Sequence, residues 1–219
     1  LDAPFNAQYL KKLPDGTYDP NTEVSTMGCR TRVMGNVYDP TREVTCGRGN
    51  LSFTTINLPR IALKHKGDIE GFFEELDEKV HLVHDQLLER LEVQSRRTVR
   101  NHPFLMGQGV WLDSEKLSKD DECREVWKHG TLTVGFIGLA ETLTVLLGKH
   151  HGESGDAQAL GLEIVGRIRE LSDERSKKER LNFSVIATNH TVIGLGINFR
   201  ILNIIIDVLN NRQYGRNIV

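Results

Sequence analysis

The 219-residue sequence has a formal net charge of -2, with 38% hydrophobic and 26% charged residues, a composition typical of globular proteins. Its basic and acidic residues are interspersed, which argues against a nucleic-acid groove that depends on phosphate electrostatics. The sequence has no uncharged apolar run of about 18 residues and no signal-peptide pattern at its beginning. We therefore expect no membrane span and no nucleic-acid partner, and we expect a cytoplasmic location.

Three cysteines, Cys29, Cys46 and Cys123, are widely spaced along the chain. Their odd number and spacing favour reduced thiols over a disulfide framework. No CxxC pair is present, which argues against a zinc site within these residues. For Cys46 and Cys123 we expect buried or incidental thiols. Because the sequence starts at Leu1 inside a segment that resembles ordered structure, we also expect an internal piece of a longer protein.

The first part of the chain alternates turn signals with short apolar stretches. Residues 1–60 are dense in Pro, Gly and Asp-Pro turns, which predicts loops and short strands. The best strand there is 51–58, rich in β-branched and aromatic residues and followed by Pro59. The strongest helix signal covers 68–97, where apolar residues recur at steps of three and four.

The second part is predicted to alternate helices and strands. After a loop over 101–113, Ser118 and Asp121 resemble a capping arrangement for a short helix that ends at Gly130. The later predicted elements, in chain order, are strand 132–137, helix 139–147 ending at Gly148, helix 156–178 and strand 181–187. Strands that alternate with helices predict an α/β fold with a largely parallel sheet. Periodicity alone does not choose between a barrel and an open sheet.

Two residues are candidates for chemistry on local grounds. Cys29 follows Gly28 and precedes Arg30, so its thiol could approach a ligand closely and have a raised thiolate fraction. A free cysteine is nevertheless more often a small core residue. Asn50 lies where a glycine-rich turn enters the predicted strand, so its amide could bind a hydroxyl, or it could be a turn residue that tolerates an unusual backbone.

Other polar or glycine-rich positions favour structural interpretations. Four histidines lack a third ligand at a suitable spacing, so we expect surface or capping roles for them: His81, His84, His150 and His151. The sequence from Gly135 to Gly138 resembles phosphate-binding turns but is neither GxGxxG nor a P-loop. Close packing of a strand against a helix is the favoured interpretation there.

Five segments, taken together and in order, resemble the class III anaerobic ribonucleotide reductases. They are TMGCRT at 26–31, RGNLSFTTINLP at 48–59, HPFLMGQG at 102–109, GTLTVGFIGLAE at 130–141 and NFSVIAT at 182–188. The resemblance implies a catalytic subunit whose ten-stranded α/β barrel surrounds a central finger loop, with helices outside. Residues 1–188 would be part of this barrel domain, with the finger loop near 25–35.

The resemblance also implies roles for the two candidate residues. Cys29 matches the cysteine that becomes a thiyl radical, removes the 3′-hydrogen of a ribonucleoside triphosphate and later returns a hydrogen. Asn50 matches the asparagine that hydrogen-bonds the ribose hydroxyls. No cofactor-binding or metal-binding residue is expected within this chain.

The remaining parts of the reaction would come from outside these residues. In the family a glycyl radical near the C-terminus is installed by an iron–sulfur activase that uses S-adenosylmethionine, and formate is the usual reductant. A zinc site also belongs to the family but not to these residues. The partners implied are the ribonucleoside triphosphate, the activase and a second copy of the full-length enzyme in a homodimer.

Residues 189–219 depart from the family pattern. A Pro-Ala-Glu-Gly-type turn is expected after the last strand, but Asn189-His190-Thr191-Val192 stands there. We hypothesise that this tail is foreign to the enzyme, as after a frameshift or at an intervening sequence. Two alternatives stay open: a truncated, non-catalytic remnant that binds a partner subunit, and a glycyl-radical enzyme that acts on another substrate.

Overall fold

The computed structural model of the chain describes residues 10–19, 22, 35–42 and 44–188. Cys29, the predicted finger loop up to residue 34 and the tail 189–219 lie outside these residues. The elements in chain order are β1 (Asn50–Asn57), α1 (Leu58–Lys64), α2 (Ile69–Ser95), α3 (Arg124–Trp127), β2 (Thr131–Ile137), α4 (Leu139–Leu147), α5 (Gly155–Glu179) and β3 (Asn182–Ala187). Short 3-10 turns occur at Val99–Asn101 and Ser114–Lys116.

The three strands form one small parallel sheet in the order β1-β2-β3. Parallel neighbours require long crossover connections, and helices occupy both of them. The six residues from Thr131 to Phe136 of β2 are all buried, as expected for a central strand that is covered on both faces. The predicted α/β fold with a parallel sheet is confirmed.

The chain divides into two compact units. Unit 1 comprises Leu1–Ser52, Leu88–Leu132 and Glu179–Asn182, and unit 2 comprises Phe53–Leu87, Thr133–Lys178 and Phe183–Val219. The core of unit 2 is mainly apolar, because α2 and α5 each bury one stripe of side chains spaced as a helix requires. The buried members of these stripes are Phe72, Leu76, Val80, Val83 and Leu87 on α2, and Leu160, Ile164, Val165, Ile168 and Leu171 on α5.

Helix α1 is an element that the sequence prediction missed. It starts directly after β1, where the Asn57 side chain accepts a hydrogen bond from the backbone N–H of Arg60 at 3.1 Å. Pro59 occupies the first turn, where its missing N–H costs nothing. An asparagine cap followed by a proline is a signal for the start of a helix, whereas the sequence prediction uses Pro59 only as the end of the strand.

The predicted helix from Ser118 to Gly130 is wrong except for the four residues of α3. The Ser118 N–H is hydrogen-bonded to Asp121 Oδ2 at 2.7 Å, and the Asp121 N–H returns to the Ser118 carbonyl at 3.1 Å, which closes a turn. The Cys123 N–H then pairs with the Arg97 carbonyl at 2.9 Å. The backbone groups that a helix would need are therefore used by a turn and by pairing with a distant segment.

The other predicted elements agree with the structure to within two residues at each end. Helix α4 is found as predicted, and it ends at Gly148, whose φ is 76°. The residue that follows a helix often adopts this left-handed backbone conformation, and glycine is favoured there. The predicted close packing near Gly138 is also confirmed, because a Cβ added there would overlap the ring of Pro59.

His84 corrects the expectation that all four histidines have surface or capping roles. Its side chain is 0% exposed in unit 2, with Nε2 3.1 Å from Ser172 Oγ and its ring 5.0 Å from that of Phe183. Burial lowers its pKa to about 4. His81, one turn away, is exposed as expected. His150 has a turn role, since its Nδ1 accepts the Gly152 N–H at 3.0 Å.

Candidate functional site

Asn50, the ribose-binding candidate, is the first residue of β1 and is exposed. The Thr131 N–H donates to the Gly49 carbonyl at 3.0 Å, which fixes the start of β1 against β2. The Thr131 hydroxyl approaches the Asn50 amide oxygen at 3.5 Å. An exposed amide on an ordered strand end can both donate to and accept from ligand hydroxyls. The position of Asn50 therefore suits the binding of a polar ligand.

Two glycines shape the turn that leads to Asn50. Gly47 has a φ of 70°, in the left-handed region, and its carbonyl accepts the Leu112 N–H at 2.7 Å. A Cβ on Gly49 would lie 3.2 Å from the Trp111 ring, closer than side chains normally pack. The indole N–H of Trp111 donates to a buried carbonyl, that of Val126, at 2.7 Å. The glycines allow the turn to lie directly on a fixed aromatic ring.

Ser52 is a further candidate that the sequence prediction did not include. Two positions after Asn50 on the same strand, it shares a strand face with Asn50. Among the residues that the structure describes, its hydroxyl is a buried polar group without a hydrogen-bond partner. Its place two residues after Asn50, at the beginning of the predicted strand, is the signal that could have identified it.

In unit 2, Gly135 of β2 lies beneath two threonine hydroxyls. Thr55 Oγ1 and Thr188 Oγ1 are 3.1 Å apart, so one donates to the other. A Cβ added to Gly135 would lie 2.7 Å from Thr55 Oγ1 and 2.6 Å from Thr188 Oγ1. Glycine is therefore required there for steric reasons, which agrees with the packing interpretation of this segment.

A buried polar group surrounds His129 in unit 1. Its ring Nδ1 is 3.0 Å from the Asn36 amide nitrogen, and its Nε2 is 3.0 Å from Asp113 Oδ2. Asp113 also pairs with Arg42 through two bonds of 2.7 and 2.6 Å. The Arg42 guanidinium holds the pKa of the Asp113 carboxyl well below its usual range, with smaller effects from Lys116 and His129. Asp113 thus stays ionised beside a histidine whose pKa is lowered by burial.

Arg48 is buried next to this group, and its side chain bonds to main-chain carbonyls. Its guanidinium donates to the carbonyls of His129 at 2.7 Å, Val44 at 2.9 Å and Gly35 at 2.9 Å. One side chain therefore joins three separate parts of unit 1. In the sequence, Arg48 begins the family segment 48–59, and no role is predicted for it there.

Cys29 lies outside the described residues, so the structure places only one of the two predicted site residues. Cys46 is exposed, and Cys123 is buried with a pKa raised by burial, in line with incidental and buried thiols. Within the described ranges, no group of three or more His, Cys, Asp or Glu residues could hold a metal ion. In those same ranges, no helix is both long and apolar enough to cross a membrane.

Comparison with known families gives the identity that these features suggest. The protein family described as "Anaerobic ribonucleoside-triphosphate reductase" matches residues 4–189, which is most of the chain. The chain belongs to the anaerobic ribonucleoside-triphosphate reductase family. The match includes the segments that contain Cys29 and Asn50, and it ends where the family pattern was lost in the sequence.

Individual relatives agree with this membership. The chain is 33% identical over 165 residues to the anaerobic ribonucleoside-triphosphate reductase of Salmonella typhimurium, covering 74% of this chain and 23% of that protein. The enzyme of Enterobacteria phage T4 is 28% identical over 171 residues, or 75% of this chain and 26% of that protein. The chain thus spans about a quarter of the length of the reductases it matches.

Solved reductase structures share the fold. An anaerobic ribonucleotide reductase matches with a TM-score of 0.52 and 20% identity, over 64% of this chain and 20% of that chain. The enzyme from Thermotoga maritima with citrate in its active site also gives a TM-score of 0.52, at 17% identity, over 78% of this chain and 28% of that chain. At such identities the likeness supports the α/β fold alone.

Proposed function

We propose that residues 1–188 form part of the catalytic barrel of an enzyme that reduces ribonucleoside triphosphates to 2′-deoxyribonucleoside triphosphates by thiyl-radical chemistry. The observation that carries this proposal is the placement of Asn50. Its amide is exposed at an ordered strand end, inside a segment that matches the reductase family. The three described strands with their crossover helices would be one part of a ten-stranded barrel with helices outside.

Asn50 would orient the ribose, and Cys29 would exchange hydrogen atoms with it. The Cys29 thiyl takes the hydrogen atom from C3′ and becomes a thiol, which leaves the unpaired electron on the sugar. The 2′-hydroxyl then gains a proton and leaves as water, formate would supply the two electrons and the hydrogen that reduce the sugar at C2′ and would itself be oxidised to CO2, and the Cys29 thiol returns a hydrogen atom to C3′, which regenerates the thiyl. Hydrogen bonds from the Asn50 amide to the ribose hydroxyls would fix the reacting carbon in reach of the sulfur, where small errors of position have large effects on rate.

The rest of the catalytic apparatus would lie outside this chain. In the assembled enzyme the glycyl radical supplies the unpaired electron, after installation by an iron–sulfur activase with S-adenosylmethionine, and formate supplies the reducing equivalents. We further propose a homodimer of the full-length enzyme, a zinc site in another part of it, and a location in the cytoplasm under anaerobic conditions, since the glycyl radical is sensitive to oxygen.

The test is anaerobic turnover of the complete gene product with its activase, comparing the wild type with Cys29→Ala and Asn50→Ala. We expect no deoxynucleotide from Cys29→Ala, because no other thiol would carry the radical to the sugar. For Asn50→Ala we expect kcat/KM to fall by about 100-fold, since the reacting carbon loses its orientation. Cys46→Ala is the matched control and should keep wild-type turnover.

Two results would contradict the proposal. Deoxynucleotide formation by Cys29→Ala at the wild-type rate would contradict the role of Cys29 in hydrogen-atom transfer with the ribose. A wild-type gene product that carries the glycyl radical but makes no deoxynucleotide would instead favour a different substrate, and one that never acquires the radical would favour the non-catalytic remnant.

We also propose that residues 189–219 are foreign to the reductase. The family match ends at residue 189, which supports this proposal. Sequencing the gene and its mature transcript tests it: a mature reading frame that joins residue 188 to a Pro-Ala-Glu-Gly-type segment is the expected result. A full-length, active reductase that contains this tail would contradict the proposal.

A further inference from the structure

Trp111 has a ring that is fixed by several contacts within unit 1. Its side chain is 6% exposed. The indole N–H donates to the Val126 carbonyl at 2.7 Å, and the ring meets that of Trp127 edge to face, with centroids 4.8 Å apart. The Trp111 carbonyl accepts from the N–H and from the hydroxyl of Ser114, at 3.0 and 2.6 Å. Both the ring and the main chain of Trp111 are therefore held in place.

The outer edge of this indole lies against Gly49, the residue that precedes Asn50. An ideal Cβ on Gly49 would lie 3.2 Å from Trp111 Cζ3 and 3.6 Å from Trp111 Cη2. Within the described residues, and apart from the chain neighbours of Gly49, no other group comes within 4 Å of that position. The φ of Gly49 is not in the left-handed region, so its backbone tolerates a side chain and the ring is what opposes one. Trp111 thus limits how closely this turn approaches the interior of unit 1.

Hydrogen bonds hold the main chain of the turn on both sides of this contact. The Gly47 carbonyl accepts from the Leu112 N–H at 2.7 Å. The Gly49 carbonyl accepts from the Thr131 N–H at 3.0 Å, and the Thr131 hydroxyl reaches the Asn50 amide oxygen at 3.5 Å. The peptide between Gly49 and Asn50 is thus connected to β2 through its carbonyl, while the indole limits the position of the adjoining Cα.

On the basis of the proposed function, we propose that Trp111 is a positioning residue that sets the place of the Asn50 amide through its contact with Gly49. Asn50 is the first residue of β1 and comes directly after this contact, so a shift of the turn moves its amide as well. A misplacement of about 1 Å can cost about 100-fold in rate, so even a partial shift lowers turnover. Trp111 itself acts through the turn and is assigned no contact with the substrate.

Two substitutions alter this contact from its opposite sides. Gly49→Ala adds a Cβ that pushes the turn away from the ring, and Trp111→Phe removes the outer ring atoms that face Gly49. In the double variant, the added methyl group occupies the space that the smaller ring leaves. Trp127→Phe is the matched control, because Trp127 is 5% exposed and contacts the same indole but does not lie at the Gly49 Cβ position.

The experiment measures kcat/KM of the complete reductase with its activase, with Asn50 present and in an Asn50→Ala background. We expect Gly49→Ala and Trp111→Phe each to lower kcat/KM by about 10-fold, because each shifts the amide by less than about 1 Å. The double variant should return to within about threefold of the wild type, since the two changes compensate each other. Trp127→Phe should stay within about twofold of the wild type.

The Asn50→Ala background separates positioning from a general loss of structure. In that background, Gly49→Ala and Trp111→Phe should each change the residual kcat/KM by less than about twofold, because no amide is left to misplace. The glycyl-radical content, measured by electron paramagnetic resonance, should be the same in all variants. If Trp111→Phe does not fold, Gly49→Ala in the two backgrounds decides by itself.

The possible outcomes distinguish this inference from the function on which it rests. Losses of equal size with and without the Asn50 amide, or a double variant worse than both single variants, would overturn the positioning role of Trp111. Wild-type kcat/KM in both single variants, while Asn50→Ala is impaired, would overturn it as well and leave the proposed function intact. Wild-type turnover by Asn50→Ala would count against the function itself.

Discussion

Unit 2 is built mainly from apolar side chains on its helices and strands, whereas unit 1 also buries a group of polar side chains around His129. In unit 2, Phe72 and Phe183 are almost completely buried, and their stabilisation depends on area and packing. In unit 1, Asn36, Arg48 and His129 are buried to a similar degree, but each needs defined partners to offset its desolvation. Unit 1 therefore depends on hydrogen-bond geometry as well as on packing.

The largest expected effect on the free energy of unfolding comes from a substitution in the apolar core of unit 2. Phe72→Ala should lower the free energy of unfolding by about 3 to 5 kcal/mol, because it leaves a cavity at a residue that is 0% exposed. Leu82→Ala, on the same helix but 53% exposed, is the control and should change it by less than about 0.5 kcal/mol. Urea denaturation of the chain measures both. Equal losses in the two variants would contradict the assigned core.

A somewhat smaller loss of unfolding free energy is expected from Arg48→Met, in the buried polar group of unit 1. The variant keeps an apolar stem but leaves three carbonyls without their donor, at a cost of about 2 to 4 kcal/mol. The matched control is Arg100→Met, because Arg100 pairs with Asp120 at the surface. Its unfolding midpoint should not change. Stability of Arg48→Met equal to the wild type would mean that water replaces the guanidinium, so unit 1 would not depend on this side chain.

The pH dependence of unfolding should reveal His84, which is buried in the apolar core of unit 2. The pKa of His84 is about 4 in the folded chain against an unfolded value near 6.5, so between these values the unfolded chain binds more protons. Stability therefore falls as pH decreases from 6.5 towards 4, by roughly 2 to 3 kcal/mol from this group.

His84→Gln should remove this component, whereas His81→Gln, at an exposed position on the same helix, should keep it. Unfolding free energies measured at about pH 4.5, 5.5 and 7, a range that covers the interval between the folded and unfolded pKa values, give the difference between the variants. If the unfolding free energy of His84→Gln changed with pH as steeply as that of the wild type, the buried, neutral state of His84 would be contradicted.

The smallest effect is expected from an ion pair at the surface of unit 2. Arg167 bonds to both oxygens of Asp77, at 3.0 and 2.6 Å, and the two side chains are 37% and 28% exposed. Asp77→Asn should cost less than about 1 kcal/mol, and the loss should shrink further in high salt. A double-mutant cycle with Arg167→Met measures the pair. A coupling as large as the Phe72 effect would show that unit 2 also depends on polar contacts.

The elements that the sequence predicted well are those with a strong local signal. The apolar repeat of α2, the glycine after α4 and the β-branched runs of the three strands each depend on residues close in sequence. Helix α1 also has such a signal in Asn57 and Pro59, although the sequence prediction did not use it to place a helix. The false helix at Ser118 shows the limit, because its N–H groups are used by a turn and by a distant partner.

At the candidate site, the sequence determined which residues to consider and the tertiary structure decided their surroundings. Cys29 and Asn50 were identified through family segments, and Asn50 was then found exposed at a strand end. The roles of Asn36, Arg48 and His129 could not be predicted, because their partners are 81 to 93 positions apart where they join one another. Hydrogen bonds have no periodicity along a chain, so only the folded backbone could bring these groups within 3 Å.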